Sequence, residues 1–478
     1  MSRTRGKLIA VALAAAGLAA CAVPAAVEAA PPIAATAGPP HGLPAGYYGI
    51  NFDYGGVASF PRFGGFDSQL AQLAPGTLRF PGGTGANYFQ WRLGHPVSAP
   101  AVNPGNCPPP AEKEVNGVTF TLQDLLAAYR ATGATPIFDL NVMTATLANQ
   151  VAMLQKAQSL GLPVVYVELG NELYLCNNDY VHYFPTAADY GATVARYVKT
   201  LHADFPGVKV AAVGTLTNQT QRARTWNQGV LTTARADGGL PDAITLHEYP
   251  ASDTALTAAG LPALFTEPYT GVLNIDTALA NLPVSLPAWI TEYNLRPKHA
   301  KNSNPAQATY AQALFAAEMD LLAREAGGAD RIDYWTSFGP AVDNVFGGSG
   351  ATPSLSPSGL ALTWVNQAAA CATTTTRIEF AGGPALGSGG KPALVGRVYS
   401  TATVQREMLL NLSGQAVVVQ GGSAIPAGQD YRQGTGDPIA PISTASQIHV
   451  NTGITGKNIR LPAYSITEAG FTPMLTRC

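Results

Sequence analysis

Short apolar runs alternate with amphipathic stretches along most of this chain. Residues 46–54, 77–83, 135–142, 164–172, 208–214, 243–249, 287–294 and 332–339 are β-favouring and nearly continuous in hydrophobicity, the pattern of strands covered on both faces. Between them, residues 66–73, 121–132, 145–160, 186–205 and 306–325 repeat apolar positions at helical spacing. Strands alternating with helices predict a parallel sheet, and eight of them predict an α/β fold closed into a (β/α)8 TIM barrel over residues 46–370. The proline-rich segment 94–117 has no apolar period and reads as a long rim loop of the kind that shapes a cleft.

Near residue 370 the pattern changes to short alternating runs rich in Thr, Val, Gly and Ser: 374–380, 394–399, 407–412, 416–420, 447–451 and 459–467. These predict a C-terminal antiparallel β-sandwich over residues 371–478. Residues 31–45, rich in Pro and Ala, read as a linker or as an edge segment of that sandwich. Residues 1–30 read as an export signal: Arg3, Arg5 and Lys7 precede an apolar run, 8–20, that is too short to span a bilayer. Leu18-Ala19-Ala20-Cys21 resembles a lipoprotein cleavage motif, with ordinary cleavage near Val27-Glu28-Ala29 as the alternative. A lipid on Cys21 is the one membrane attachment expected.

Composition narrows the function classes. The 478 residues are 46% hydrophobic and 12% charged, with a net charge of −2, so no basic surface for nucleic acid or anionic lipid is expected. Beyond Cys21 stand Cys107, Cys176, Cys371 and Cys478. An even set in an oxidising compartment predicts two disulfides; of three possible pairings, Cys107–Cys176 and Cys371–Cys478 are expected. Without CxxC spacing or clustered histidines no structural metal is expected. The first strand is followed by no glycine-rich phosphate loop, and Gly82-Gly83-Thr84-Gly85 has the wrong spacing for one, so no cofactor is expected.

Two of the eight strands end in the same way. Val164-Val165-Tyr166-Val167-Glu168-Leu169-Gly170-Asn171-Glu172 and Pro287-Ala288-Trp289-Ile290-Thr291-Glu292-Tyr293-Asn294 each carry a glutamate to the C-terminal end, the reactive face of such a barrel. Paired carboxyls there suit hydrolysis of a glycosidic bond with retention, in which one protonates the leaving oxygen and the other attacks the anomeric carbon. Gly170-Asn171-Glu172 and Ile290-Thr291-Glu292 resemble the large barrel clan of retaining glycosidases, clan A. That resemblance implies Glu172 as acid/base, Glu292 as nucleophile, and Asn171 as a partner of the sugar 2-hydroxyl. Leu78-Arg79-Phe80-Pro81-Gly82-Gly83-Thr84, Leu246-His247-Glu248-Tyr249 and the small C-terminal sandwich look most like the heparanase and β-glucuronidase family, glycoside hydrolase family 79. The implied substrate is a β-glucuronide. Arabinofuranosidases and β-xylosidases of the clan carry a similar Arg-aromatic-Pro-Gly-Gly strand and stand as alternatives. A carbohydrate-binding barrel without catalysis is the alternative from another class.

The remaining candidates are weighed against structural roles. Arg79 can ion-pair with the nucleophile or serve as a barrel-mouth salt bridge. His247 and Tyr249 share a face by strand alternation; the resemblance implies that they position Glu292, with ordinary packing as the alternative. Trp335 can form an apolar floor under the sugar or sit in the core. Glu168 reads as a buried structural carboxylate, and Asn51, Asp53 and Asn87 read as turn residues before sugar ligands. For a uronate carboxylate the nearest donors are Arg296, Lys298 and Lys301 and the backbone of Gly339 and of residues 341–344. The segment Phe338-Gly339-Pro340-Ala341-Val342-Asp343-Asn344 lacks the tyrosine of the family pattern.

Overall fold

The structure, a computed structural model, describes residues 31–52, 65–99, 107, 119–250, 256–295, 309–337, 344–347, 354–442 and 444–471. Eight parallel strands close into a barrel in chain order: Tyr48–Asn51, Thr77–Phe80, Thr135–Asp139, Tyr166–Glu168, Lys209–Val213, Ala243–Glu248, Ala288–Tyr293 and Ala329–Tyr334. All eight expected strands are present, most of them shorter at the C-terminal end. The fourth stops at Glu168, four residues before Glu172, because a turn takes over where glycine permits it.

Period-two alternation divides each strand between the barrel interior and the surrounding helices. Inside, the lower layer is apolar, with Ile137, Ala211, Ala243 and Trp289 packed together. The Arg331 guanidinium lies over Tyr166 at 3.6 Å and Trp289 at 4.8 Å. One pleat higher, on the same faces, stand Arg79, Asp139, Glu168 and Thr291. An apolar floor therefore supports a polar layer at the mouth.

Six of the described helices start where a Thr or Ser side chain caps them. Thr121 with Asp124 and Thr186 with Asp189 form reciprocal capping boxes before helices Leu122–Thr132 and Ala187–Asp204. Helix Tyr310–Ala323 is buried along its whole length, as a helix apolar all round must be. It packs against helices Glu267–Ala280 and Pro357–Ala369, against the last barrel strand and against strand Leu394–Ser400 of the second layer.

That second layer is a nine-stranded, mostly antiparallel sheet, curled as a C-terminal sandwich. It contains Thr374–Ala381, Leu394–Ser400, Gln405–Asn411, Val417–Gln420, Asp430–Thr435, His449–Ile454, Asn458–Leu461 and Ser465–Ala469. The ninth member is Ile33–Gly42, which pairs with Thr374–Ala381 on one side and Val417–Gln420 on the other. Residues 31–45 thus supply an interior strand instead of a linker or edge. Its Gly38-Pro39-Pro40 sequence argues against a strand, and a register shift between Ala37 and Pro40 accommodates it. Asp430–Thr435 carried no alternating signal, and the run 459–467 splits into two strands at Pro462.

Barrel and sheet share one core, and residues 32–478 form a single compact unit. Polar links reinforce it: Tyr48 and Tyr399 hydroxyls meet at 2.7 Å, Tyr310 donates to the Gly434 carbonyl at 2.7 Å, and Arg397 pairs with Glu325. Cys107 and Cys176 are disulfide-bonded. Cys371 is also in a disulfide; its expected partner Cys478 lies outside the described residues, as do the export segment and Cys21. Among the described residues, no helix is long and apolar enough to cross a membrane.

Burial pushes the carboxyls of Asp333, inside the barrel, and Glu407, in the sheet, up to about 7. The folded chain then holds protons that the unfolded chain releases. This contribution to stability is complete below the ordinary values of 3.8 and 4.5 and is lost as pH rises through about 7. The thermal midpoint is expected to fall between about pH 5 and about pH 8; a midpoint that climbs over this range in a scanning unfolding series would contradict it.

Candidate active site

The turn carrying Glu172 is held from behind. Gly170 has φ +90°, and a Cβ there would come within 3.1 Å of Asn87 Oδ1, so both the backbone and the neighbour require glycine. Asn87 is fully buried and grips the backbone of Asn171 twice: Oδ1 accepts from its N–H at 2.9 Å, and Nδ2 donates to its carbonyl at 2.7 Å. Glu172 follows at φ +47°, a left-handed conformation that a non-glycine residue keeps only under outside constraint.

Glu292 reaches the mouth by another device. Thr291 and Glu292 are neighbours and should face opposite sides, yet register shifts flank Ile290 and Glu292 in the pairing with both adjacent strands. A bulge re-aims one side chain without ending the strand. Thr291 Oγ1 donates to Glu168 at 3.2 Å, while Glu292 also enters the mouth.

Arg79, with no exposed surface, fills the space between them. Nε donates to Glu168 at 2.6 Å, Nη2 to Asp139 at 3.0 Å and Asn171 Oδ1 at 2.8 Å, and Nη1 to Glu292 at 2.7 Å and Asn51 Oδ1 at 2.9 Å. Burial opposes its charge, but Glu168, Asp139 and Glu292 outweigh burial and hold the guanidinium above its ordinary value. One cation faces three carboxyls. Burial, against the pull of Arg79 and helped by Glu168 and Glu292, raises Asp139 well above the usual carboxyl range.

On the cleft side, Tyr249 donates to Glu292 Oε2 at 2.6 Å and Tyr174 to Glu172 Oε1 at 2.9 Å. His247 Nδ1 lies 3.1 Å from Glu172 Oε1 and 3.3 Å from Glu292 Oε2. Burial works against its imidazolium, but Glu292 and then Glu172 prevail and raise its pKa. An oxygen of Glu172 and one of Glu292 stand within 4.8 Å of each other. Two carboxyls at this spacing, one with both oxygens held and one on a turn beside a tyrosine, can act on opposite sides of one bond.

The fold is shared with solved glycosidases. The chain superposes on a family 51 α-L-arabinofuranosidase from Bifidobacterium longum with TM-score 0.70 and 14% identity, covering 92% of this chain and 98% of that one. The α-L-arabinofuranosidase of Thermotoga maritima gives 0.67 and 16%, covering 91% and 99%. A 4-O-α-L-rhamnosyl-β-D-glucuronidase from Fusarium oxysporum gives 0.61 and 14%, covering 91% and 99%. At such identities the likeness is one of fold. No protein-family model and no curated protein matches the sequence.

Of the residues singled out from sequence, Glu172, Glu292, Asn171, Arg79, His247 and Tyr249 are brought together. Arg79 stands behind Glu292, where it orients carboxylates and has no open face for a sugar. Asn171 has its Oδ1 committed to Arg79, which leaves Nδ2 as its donor end. Trp335 is half-buried at the end of the last strand, against Gly83: a Cβ at Gly83 would come within 2.4 Å of the ring. The Gly82-Gly83 pair after Phe80-Pro81 therefore makes room for this tryptophan. Asn51 is fully buried and bonds Arg79 and the Thr291 carbonyl, a structural role. Asp53, Arg296, Lys298, Lys301 and Gly339 lie outside the described residues.

Sequence reasoning missed Asp139, Tyr174 and the clamp by Asn87. Asp139 closes Thr135–Asp139, and a carboxylate ending an otherwise apolar strand is the same signal that flagged Glu172. Tyr174 carried none, since only the turn brings residue 174 back onto residue 172. Replacing Arg79 with Met leaves the buried carboxyls without their cation, which costs roughly 3–5 kcal/mol. Denaturant unfolding should show that loss, and a variant as stable as the parent would refute the central role of this guanidinium.

Proposed function

We propose that this protein is a retaining O-glycoside hydrolase working by double displacement, with Glu172 as acid/base and Glu292 as nucleophile. The observation that carries the reading is the approach of their carboxylate oxygens to within 4.8 Å across a shared His247 Nδ1. That separation suits direct attack on the sugar, since an inverting pair stands about 6.5–9.5 Å apart to admit a water.

In the first step Glu292 attacks the anomeric carbon while the Glu172 carboxyl gives its proton to the departing oxygen. A glycosyl ester forms and the aglycone leaves as its alcohol. In the second, Glu172 takes a proton from water, the hydroxyl attacks the same carbon, and Glu292 departs as a carboxylate. Arg79 on Oε1 and Tyr249 on Oε2 fix the rotamer of Glu292, which supplies the orientation that makes attack effectively unimolecular. Asn171 Nδ2 is the donor for the sugar 2-hydroxyl, and Trp335 the apolar floor.

The substrate we infer is a β-glucuronide, supported by the Arg79 and His247-Glu248-Tyr249 motifs and by Arg296, Lys298 and Lys301 after the nucleophile strand. Such a site must pair the ring carboxylate with cations or several amide donors. An α-L-arabinofuranoside is the second reading, favoured by the higher TM-scores of the arabinofuranosidases and by the missing tyrosine in residues 338–344. Action outside the cell is supported by the disulfides and by the basic-then-apolar N-terminus.

Glu292→Ala should abolish turnover, and azide should partly restore it by standing in for the nucleophile. Glu172→Ala should lose about 10²–10⁴-fold on poor leaving groups but little on activated ones. NMR of the first-formed sugar should show retention; inversion would defeat the double displacement. Among 4-nitrophenyl glycosides the β-glucuronide is expected to have the highest kcat/KM. If the arabinofuranoside wins, the second reading takes its place and the two-glutamate chemistry stands.

A further inference from the structure

The sixth barrel strand, Ala243–Glu248, ends in three residues with divided duties. His247 and Tyr249 point into the mouth and hold Glu172 and Glu292, so strand alternation turns Glu248 the other way. There it enters a slot in helix Glu267–Ala280. The slot exists because residue 271 is glycine: a Cβ at that position would stand 3.1 Å from Glu248 Cγ and 3.4 Å from both Met319 Cε and Pro250 Cγ. Glu248 is 3% exposed, and Asn274 Nδ2 donates to its Oε1 over a long 3.3 Å.

We propose that Glu248 is a positioning residue that keys the end of the sixth strand to helix Glu267–Ala280, and so sets the reach of His247 and Tyr249 onto the two catalytic carboxylates. The proposal rests on the glycosidase reading for its kinetic consequence. Its physical basis is packing: Glu248 is the outward side chain between the two that face inward, and its Cγ fits against Gly271 of the helix.

The same contact is sensitive to charge. From the helix, the groups that face Glu248 are Asn274 and the carboxylate of Glu267; from helix Tyr310–Ala323 the neighbour is Met319, which is apolar. Burial, with a smaller push from Glu267 and against the pull of Asn274, moves its carboxyl up to about 7. Below that value the neutral group fits the slot. Above it, a second negative charge stands beside Glu267 with no cation among the described residues facing Glu248, and relief comes by moving toward water. That motion draws the strand end outward and loosens the hold of His247 and Tyr249.

The test compares wild type with Glu248→Gln, which keeps the shape and removes the ionisation, from about pH 5 to about pH 9. Wild-type kcat on the productive aryl glycoside should fall several-fold through neutrality with little change in KM. In the variant that fall should move upward by about one pH unit or more. Gly271→Ala, which fills the slot, should lower kcat severalfold even at acid pH while KM holds. A second readout needs no turnover: the His247 Cε1–H resonance should show, beside its own titration, an inflection near neutrality that Glu248→Gln abolishes. Superimposable rate profiles, or identical resonance titrations in both proteins, would overturn the proposal. If no glycoside is turned over, the glycosidase reading fails while the NMR titration still decides this one.

Discussion

A single buried guanidinium organises this molecule. From the second barrel strand, Arg79 reaches the third, fourth and seventh through Asp139, Glu168 and Glu292, the first through Asn51, and the turn after the fourth through Asn171. Charges so deep are tolerated only when paired and fully hydrogen-bonded. The planar fork of arginine meets several acceptors at once, which the point charge of lysine does not. The carboxyls closing the barrel strands are therefore arranged around one cation, and the mouth of the barrel takes its shape from that arrangement.

Around this centre, the two glutamates are held by opposite means. Glu292 is fixed from below by Arg79 and from the side by Tyr249, on a strand whose bulge turns it inward. Glu172 sits on a turn in a left-handed conformation, anchored through the backbone of Asn171 by Asn87 and through its own carboxyl by Tyr174 and His247. One is rigid by strand, the other by clamp. In the proposed double displacement, a nucleophile benefits from a fixed line of attack and an acid/base from access to the leaving oxygen.

The second layer supports this geometry from a distance. Helix Tyr310–Ala323 has no solvent face because helices Glu267–Ala280 and Pro357–Ala369 and the sheet cover it, and its burial joins the barrel's last strand to Leu394–Ser400. Polar groups cross the same boundary at Tyr48, Tyr310 and Arg397. A barrel without that sheet would expose part of a mostly apolar helix.

The eight strands, their order and the two strand-end glutamates were legible in the chain because burial on both faces writes continuous apolar runs, and a charged residue ending such a run has few other reasons to be there. Arg79, His247 and Tyr249 were legible for a similar reason, each lying at the end of a barrel strand. The sequence was silent where contact depends on closure. Which carboxyls share Arg79 follows from bringing residues 51, 79, 139, 168 and 292 to one level of a closed sheet, and no local pattern encodes level. The role of Asn87, the return of Tyr174 onto Glu172 and the slot that Gly271 opens for Glu248 also needed two segments placed side by side. Ile33–Gly42 was hidden by its prolines, which oppose a strand locally, and it became one because neighbours on both sides supply hydrogen bonds around the shift in register. Local burial determined the elements and the chemistry at their ends; only tertiary packing decided which of those ends meet.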